Sequence, residues 1–563
     1  MKHKNHHVDF CVVGGGMAGL CAAVAAARRG IKVAIIQDRP VFGGNASGEI
    51  RMWICGAHGK DNRETGIVEE IMLENYYRNP GQKYPIWDTV VYEKALLEPN
   101  LKMFLNCTCV DAQMDGENIK SVKGLQLTTQ TYHTIYAKYF ADCSGDSILA
   151  PLTGAEFMLG REAKSDFDER IPPDVADKKT MGMSCLIQFR ETTQKAEFIP
   201  PPWAYSYPTD DDLPKAEHTL DTNFWWIEIG GTKDSIHDTE ELRDELLKIA
   251  YGVVDHVKNH GDHGADNWEL EWIGFLPGKR ESRRYIGKHI ITQNHVESGG
   301  MTDDIVGYGG WSMDDHFPEG FYFRDGHPTL YHPAPSPWGI PFGSLHSINI
   351  KNLLFAGRNI SATHAAMSSS RVMATCAVLG QAVGTAAALL IQEDKLITEI
   401  DIAQLQQQLL YDDCWIPGIK RDVSPLTQKA TVNCEKVRSG IDRGDDNCWL
   451  GKKGENIVYH FDSPEKVGTI RLIFDSNLNR GYRNMPCSYP LIQPEYKIPS
   501  TLIKEYKIIL TLKDGTKEEI HVTDNRQRLV FHQVDTVVTA IELVPISTYG
   551  CEEYRVFSFE LIE

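Results

Sequence analysis

The chain lacks a CxxC pair, a low-complexity tract and any surplus of basic charge, and it holds one long uncharged apolar run. Each shortage narrows the reading. Thirteen cysteines scattered without a pairing pattern, an odd count, predict reduced thiols and a cytoplasmic setting rather than a disulfide framework. A net charge of −19 argues against a nucleic-acid partner, because phosphate binding needs a basic face. The opening MKHKNHHVDF has no apolar segment, so no signal peptide is expected. The apolar run, residues 372–391, spans 20 residues without a charge, the length a bilayer needs. It is mostly Ala, Gly, Thr and Cys, which predicts a helix buried inside a large protein and no membrane span.

What is present is ordinary globular composition, 42% apolar and 24% charged, in 563 residues, enough for two to four domains. Residues 8–13 read as a strand, followed by Gly14-Gly15-Gly16-Met17-Ala18-Gly19, an Ala-rich helix and a second strand, 32–36. A glycine turn in that context lets the backbone approach a pyrophosphate seated on a helix N-terminus. An acidic residue should close the second strand and hold a ribose hydroxyl, about 20 residues on. Here the position is Gln37, with Asp38 and Arg39 behind it. A glutamine carbonyl can still accept from a hydroxyl, without charge.

Three further segments sit at strand ends: Val41-Phe42-Gly43-Gly44-Asn45-Ala46-Ser47, Ala141-Asp142-Cys143-Ser144-Gly145-Asp146, and Asn352-Leu353-Leu354-Phe355-Ala356-Gly357-Arg358. In this order they resemble the FAD-dependent oxidoreductase family, two-dinucleotide-binding-domain flavoproteins related to fumarate reductase and succinate dehydrogenase flavoproteins. The resemblance covers about residues 1–395. It implies FAD as cofactor, held by Gly14 to Gly19, Gln37, Asp38, Arg39, Gly43, Gly44, Asn45, Ser47, Val110, Ser144, Gly145, Asp146, Gly357, Arg358 and Asn359. Relatives share the QDRP segment at Gln37, so the missing acid weakens a charged ribose clamp and leaves FAD standing. With one GxGxxG, an NAD(P)H domain of the disulfide-reductase sort is not expected. Oxygen, a quinone or another protein would then accept the electrons. Nothing in the GGGMAGL turn suggests covalent flavin attachment.

The expected fold is α/β. A Rossmann-like FAD-binding domain (1–154 and 346–395) carries an inserted α+β substrate domain (155–345). A helix and linker (396–425) lead to an all-β jelly-roll sandwich (426–563), where short strand-like runs alternate with turns such as Asp514-Gly515. That last part resembles galactose-binding-like modules, notably at IRLIFDSNLNR, residues 470–480.

Candidates for the chemistry come from three stretches. Gly278-Lys279-Arg280-Glu281-Ser282-Arg283-Arg284 could clamp a polyoxygenated substrate, and the family resemblance implies that role for Arg283 and Arg284 before Lys279. Gly307 to His316 interleaves glycines with Tyr, Trp and His, and makes His316 a candidate acid–base group. Ser361-Ala362-Thr363-His364 lies before Arg371; in the resembling flavoproteins a histidine at this place faces substrate, which implies a role for His364 although the rest of that segment is lost. Arg51 and His58 are placed to reach the ring. His256, His260 and His263 have i, i+4, i+7 spacing, yet their charged neighbours predict a solvated helix end and no metal. Cys107 and Cys109 are read as structural.

The expected activity is hydride transfer between flavin N5 and a small polar carbon substrate, by preference a sugar or sugar acid. Two alternatives stand beside it: reduction of an unsaturated carboxylate, and a flavin-containing carbohydrate-binding protein without turnover. A homo-oligomer is left open.

Overall fold

The computed structural model describes residues 1–481 and 484–563. They divide into two compact units.

The first unit comprises Met1–His58, Gln82–Leu405 and the described residues 484–494. Its centre is a five-stranded parallel sheet in the order Leu353–Phe355, Tyr139–Asp142, Phe10–Val13, Val33–Ile36, Leu101–Phe104. Most of these strand residues are buried, as near-continuous apolar runs in a parallel sheet should be. Helix Met17–Arg28 follows the first of them in sequence and packs against the uncharged helix Met373–Gln392. A Cβ at Gly380 would stand 2.0 Å from the carbonyl oxygen of Ala18, and one at Gly384 equally close to that of Ala22. The small residues therefore serve backbone-to-backbone packing. That helix is long and apolar enough to cross a membrane, and 94% of its most apolar window is buried within the protein.

Lys2–His7, in the opening stretch that carries no apolar segment, is an edge strand pairing in parallel with Thr131–Tyr136. Its side chains are nearly all exposed, so it shows no apolar alternation. After residue 100 the chain forms two successive strands, Leu101–Phe104 and Cys107–Asp115, which lie in different sheets. Asn106, at φ 51°, turns the chain between them.

The middle region is built of short pieces. Met183–Ser184 lies antiparallel between Glu228–Ile229 and Gly278–Lys279, which brings three distant segments to one place. Helix Thr239–Asn259 buries Leu242, Leu246, Ile249, Val253 and Val257, one face at helical period, against Phe189, Trp226 and Phe321.

The second unit comprises Gly59–Gly81, Gln406–Gly481 and Glu495–Glu563. Its sheet runs Trp449–Gly451, Tyr554–Ile562, Ile457–Phe474, Leu529–Thr548, Ile503–Leu512, Lys517–Val522, with Thr431–Val432 beside Ile457–Phe474. Runs read as separate strands, such as 457–461 and 469–474, are single long strands whose alternation is interrupted by register shifts. The Asp514-Gly515 turn joins its two strands as expected, with Gly515 at φ 84°. Helix Ile67–Arg78 belongs to this unit, because Glu69 is buried and accepts from Arg480 Nη1 at 2.9 Å and Ser476 Oγ at 2.6 Å. Arg471 and Arg528 are likewise buried and spent on Asp442 and Asp413. The segment read as a linker holds Arg421, buried and paired with Asp442 and Glu560.

Candidate functional site

A cavity of about 650 Å³ opens beyond the carboxyl ends of Phe10–Val13 and Val33–Ile36, where ligands bind in open α/β sheets. Gly14, Gly15, Gly16, Met17 and Ala18 line it, as do Gly43, Gly44 and Asn45, then Ser144, Gly145 and Asp146, and Gly357 with Arg358. The four glycine-bearing segments picked out by sequence thus meet at one place. Gly14 sits at φ 102°, and a Cβ there would lie 2.5 Å from the Cys143 carbonyl, so only glycine fits. Helix Met17–Arg28 begins at Gly16 with no side-chain cap and no acid in its first turn. Its free N–H groups and dipole suit the pyrophosphate that the resemblance implies.

Gln37 has a different task from the one expected. Its Oε1 accepts from Gly15 N–H at 2.8 Å and its Nε2 donates to Val41 O at 3.1 Å, so the amide braces the glycine turn. Asp38 follows it, its side chain 61% exposed and lining the cavity wall. Gln37→Leu would leave a buried N–H without its partner, a loss of about 1–3 kcal/mol. The expected result is FAD binding about tenfold weaker or more by fluorescence titration, with Gln37→Glu, which keeps an acceptor, closer to wild type.

Asp146 anchors the next wall. Lys279 Nζ at 2.8 Å, Arg358 Nη2 at 2.7 Å and Ser282 Oγ at 2.8 Å converge on it. Burial pushes its carboxyl up, but Arg358 and Lys279 outweigh that and hold it at about 2. Two cations around one carboxylate leave positive charge for an anionic ligand. Ser47 and Asn359 are buried outside the lining, Gly19 packs beneath the turn, and Val110 is 41% exposed away from the cavity, whose wall is formed instead by Cys107, Thr108 and Cys109. Burial holds both of those thiols above the usual range, Cys107 at about 11 and Cys109 at about 12.

The far end holds His316, Asp314, Arg280 and Arg371 between the aromatic side chains of Trp225, Trp311 and Tyr331. His316 Nδ1 lies 2.6 Å from Glu228 Oε2, and its Nε2 lies 3.4 Å from Asp314 Oδ2. Arg280 reaches Glu228 at 3.3 Å and Arg371 reaches Asp314 at 3.1 Å. Burial raises both carboxyls, yet Arg280 and His316 hold Glu228 below its ordinary value, and His316 and Arg371 hold Asp314 at about 2. Glu228 thus accepts a hydrogen bond from His316 Nδ1, while Nε2 is turned toward Asp314 at the cavity wall.

Four of the six catalytic candidates are elsewhere. Arg284 is buried, donating to Glu162 at 2.7 Å and Glu281 at 3.0 Å, and does not line the cavity. Arg283 lies over the Phe157 ring at 5.6 Å. The cavity residues of that basic run are Lys279 and Arg280, because Gly278–Lys279 is the segment paired with Met183–Ser184. His364 is sealed between Glu281 Oε2 at 2.9 Å and Asp315 Oδ1 at 3.0 Å. Desolvation lowers its imidazole, but the two carboxylates win and raise it to about 10. Arg51 is held between the rings of Tyr84 at 4.6 Å and Trp272 at 4.3 Å, and its neighbour segment supplies Ile50, Met52 and Trp53 to the wall instead. His58 stacks on the outer side of Trp311 at 4.4 Å and does not line the cavity. Sequence reasoning missed Trp225, Glu228 and Tyr331, which lie in stretches without periodicity.

The cavity fits a bound cofactor and substrate. Trp311 Nε1, Asp314 Oδ1, Arg371 Nε and Arg358 Nε are buried without a hydrogen-bond partner, an arrangement that costs free energy unless a ligand supplies one.

The model of the family described as FAD dependent oxidoreductase matches residues 9–409. Glycerol-3-phosphate dehydrogenase of Mycobacterium leprae is 36% identical over 66 residues, 12% of this chain and 11% of that protein's length. A geranylgeranyl bacteriochlorophyll reductase-like protein of Thermoplasma acidophilum aligns over 73% of this chain and 85% of its own, at 13% identity and a TM-score of 0.33. A family 32 carbohydrate-binding module of Streptococcus pneumoniae aligns over 24% of this chain and 95% of its own, at 12% identity and a TM-score of 0.19. With the matched region covering most of its length, this chain belongs to the FAD dependent oxidoreductase family, and its cofactor is FAD.

Proposed function

We propose that the protein is a dehydrogenase of an uncharged polyhydroxylated substrate of the sugar class. The observation that carries this is the internal neutralisation at the far end of the cavity: Arg280 is paired with Glu228, and Arg371 with Asp314. A carboxylate substrate would have to displace a buried carboxylate from its arginine, and breaking such a pair is costly. A neutral polyol can instead hydrogen-bond to the outer edges of these pairs, between the apolar faces of Trp225 and Trp311.

FAD, when bound, supplies the acceptor for the hydride. The chain's part is to hold the carbinol carbon against it and to remove the hydroxyl proton. His316 Nε2 takes that proton, and Glu228 stabilises the resulting imidazolium through Nδ1. Arg371, with its unpaired Nε, would orient a neighbouring hydroxyl.

The test is binding followed by perturbation of the flavin spectrum. Neutral sugars and polyols are expected to perturb it with affinities at least about tenfold tighter than matched sugar acids or unsaturated acids, a difference of about 1.4 kcal/mol. Tighter binding of the carboxylates would refute the neutral-substrate reading and favour reduction of an unsaturated acid.

A further inference from the structure

The histidines at the end of helix Thr239–Asn259 are not solvated as the sequence suggested. His256 is 1% exposed, and His263 turns back so that its Nε2 lies 3.0 Å from His256 Nε2. A third imidazole, His218, arrives from a loop 38 residues upstream of His256, its ring centroid 5.6 Å from that of His256 and 5.9 Å from that of His263. Asp210, in the short turn Asp210–Asp212, completes the group. Its Oδ1 lies 3.0 Å from His256 Nε2, 3.7 Å from His263 Nε2 and 3.8 Å from His218 Nδ1. One donor atom from each of the four residues falls within 4.8 Å of all the others. His260, which the spacing had grouped with these, points away and pairs with Asp255 at 3.2 Å.

We propose that Asp210, His218, His256 and His263 form a binding site for one Zn²⁺ ion, separate from the flavin cavity. Several of these separations are close to those of a metal cage, in which ligands about 2.0–2.1 Å from a tetrahedral zinc stand about 3.3 Å from one another. The hydrogen bonding demands a cation as well. His256 Nδ1 lies 2.7 Å from the carbonyl oxygen of Tyr207, which can only accept, so Nδ1 carries the proton. In a neutral ring Nε2 is then a bare lone pair, and it faces a carboxylate oxygen at 3.0 Å and a second imidazole nitrogen at the same distance. Either an extra proton or a metal ion must lie among these atoms. Three nitrogens and one carboxylate oxygen form a donor set of borderline softness, suited to zinc and unsuited to magnesium or calcium.

The consequence is mechanical. The ion would tie the loop bearing Asp210 and His218 to the helix end. Glu217, next to His218, accepts from the Trp226 indole at 2.9 Å, and Trp225 beside it lines the flavin cavity. The site therefore braces a wall of the cavity without contributing to its chemistry. A cleft lined by Asp211, Pro214, Lys215, Asp262 and Arg324 gives the ion access from solvent.

The test uses the full FAD-loaded chain, purified without an affinity tag, stripped with a chelator and titrated with Zn²⁺ in calorimetry. Wild type should take up one equivalent that excess Mg²⁺ does not displace. His218→Ala and His263→Gln should bind it more than about 100-fold more weakly, beyond the 10–100-fold of an outer-shell change. His260→Ala should bind as wild type. Retained flavin absorbance in each variant checks that the fold is intact, and His263→Gln keeps the size of the side chain. Absence of a stoichiometric site in wild type, or one indifferent to His218 and His263, overturns the proposal.

Discussion

His316→Ala is expected to slow anaerobic flavin reduction by the substrate by about 10²–10⁴-fold while the protein keeps its FAD. The imidazole is buried at the cavity wall with Nδ1 fixed by Glu228, and Trp225 packs against its ring at 5.6 Å. The second nitrogen, Nε2, lies 3.4 Å from Asp314 Oδ2 at the cavity wall, where the proposed substrate hydroxyl would meet the pair. Glu228→Gln keeps the shape but removes the charge that stabilises the imidazolium. It should lower kcat with a smaller change in KM and displace the pH profile of kcat, whereas a purely structural role would move neither selectively. His364→Ala supplies the contrast, since that ring does not reach the cavity: its chemistry should survive in whatever fraction folds. Equal loss of the chemical step in His364→Ala would contradict this assignment.

The second large effect is on stability. Arg284, Glu162, Glu281, His364 and Asp315 form one buried chain of charges. Arg284→Met leaves Glu281 and Glu162 short of a counter-charge, and removing one member of a buried pair typically costs about 3–5 kcal/mol. Denaturant unfolding monitored by flavin release should show a loss of that order. His364 adds a pH dependence. Its folded value is raised to about 10, so its stabilising contribution is complete below the ordinary imidazole value and is lost progressively as pH rises towards 10. The unfolding midpoint should therefore fall from pH 7 to pH 10, and His364→Gln should flatten that slope. An equal slope in wild type and His364→Gln over this interval would mean the imidazole is neutral in the folded chain above pH 7.

These two sets of residues also show where sequence reading succeeds. The cofactor end was legible because its signals are local: a glycine that only φ 102° explains, a strand before it and a helix after it. The far end was half legible. His316 and Arg371 line the cavity, whereas Arg284 and His364, of the same residue types, are buried away from it among carboxylates. What separates the cases is the partner. Glu162 and Glu281 approach Arg284 from positions 122 and 3 residues away, and nothing local announces the longer of those contacts. Glu228 escaped notice for the same reason: its two-residue strand has no period, and its meaning comes from lying beside Met183–Ser184. The histidine spacing failed in the opposite sense. Charged neighbours suggested solvent, while the third imidazole and the carboxylate came from a loop that the helix pattern does not contain.

The central claim is that a neutral hydroxylated compound delivers a hydride here while His316 takes the proton. It is tested most directly by anaerobic absorbance titration of the FAD-loaded protein with sugars, sugar acids, hydroxy acids and unsaturated acids. A neutral sugar or polyol should bleach the oxidised flavin in wild type and do so far more slowly in His316→Ala. If no such compound bleaches it, and dithionite-reduced protein is instead reoxidised by an unsaturated acid, the protein is a reductase and the account is contradicted.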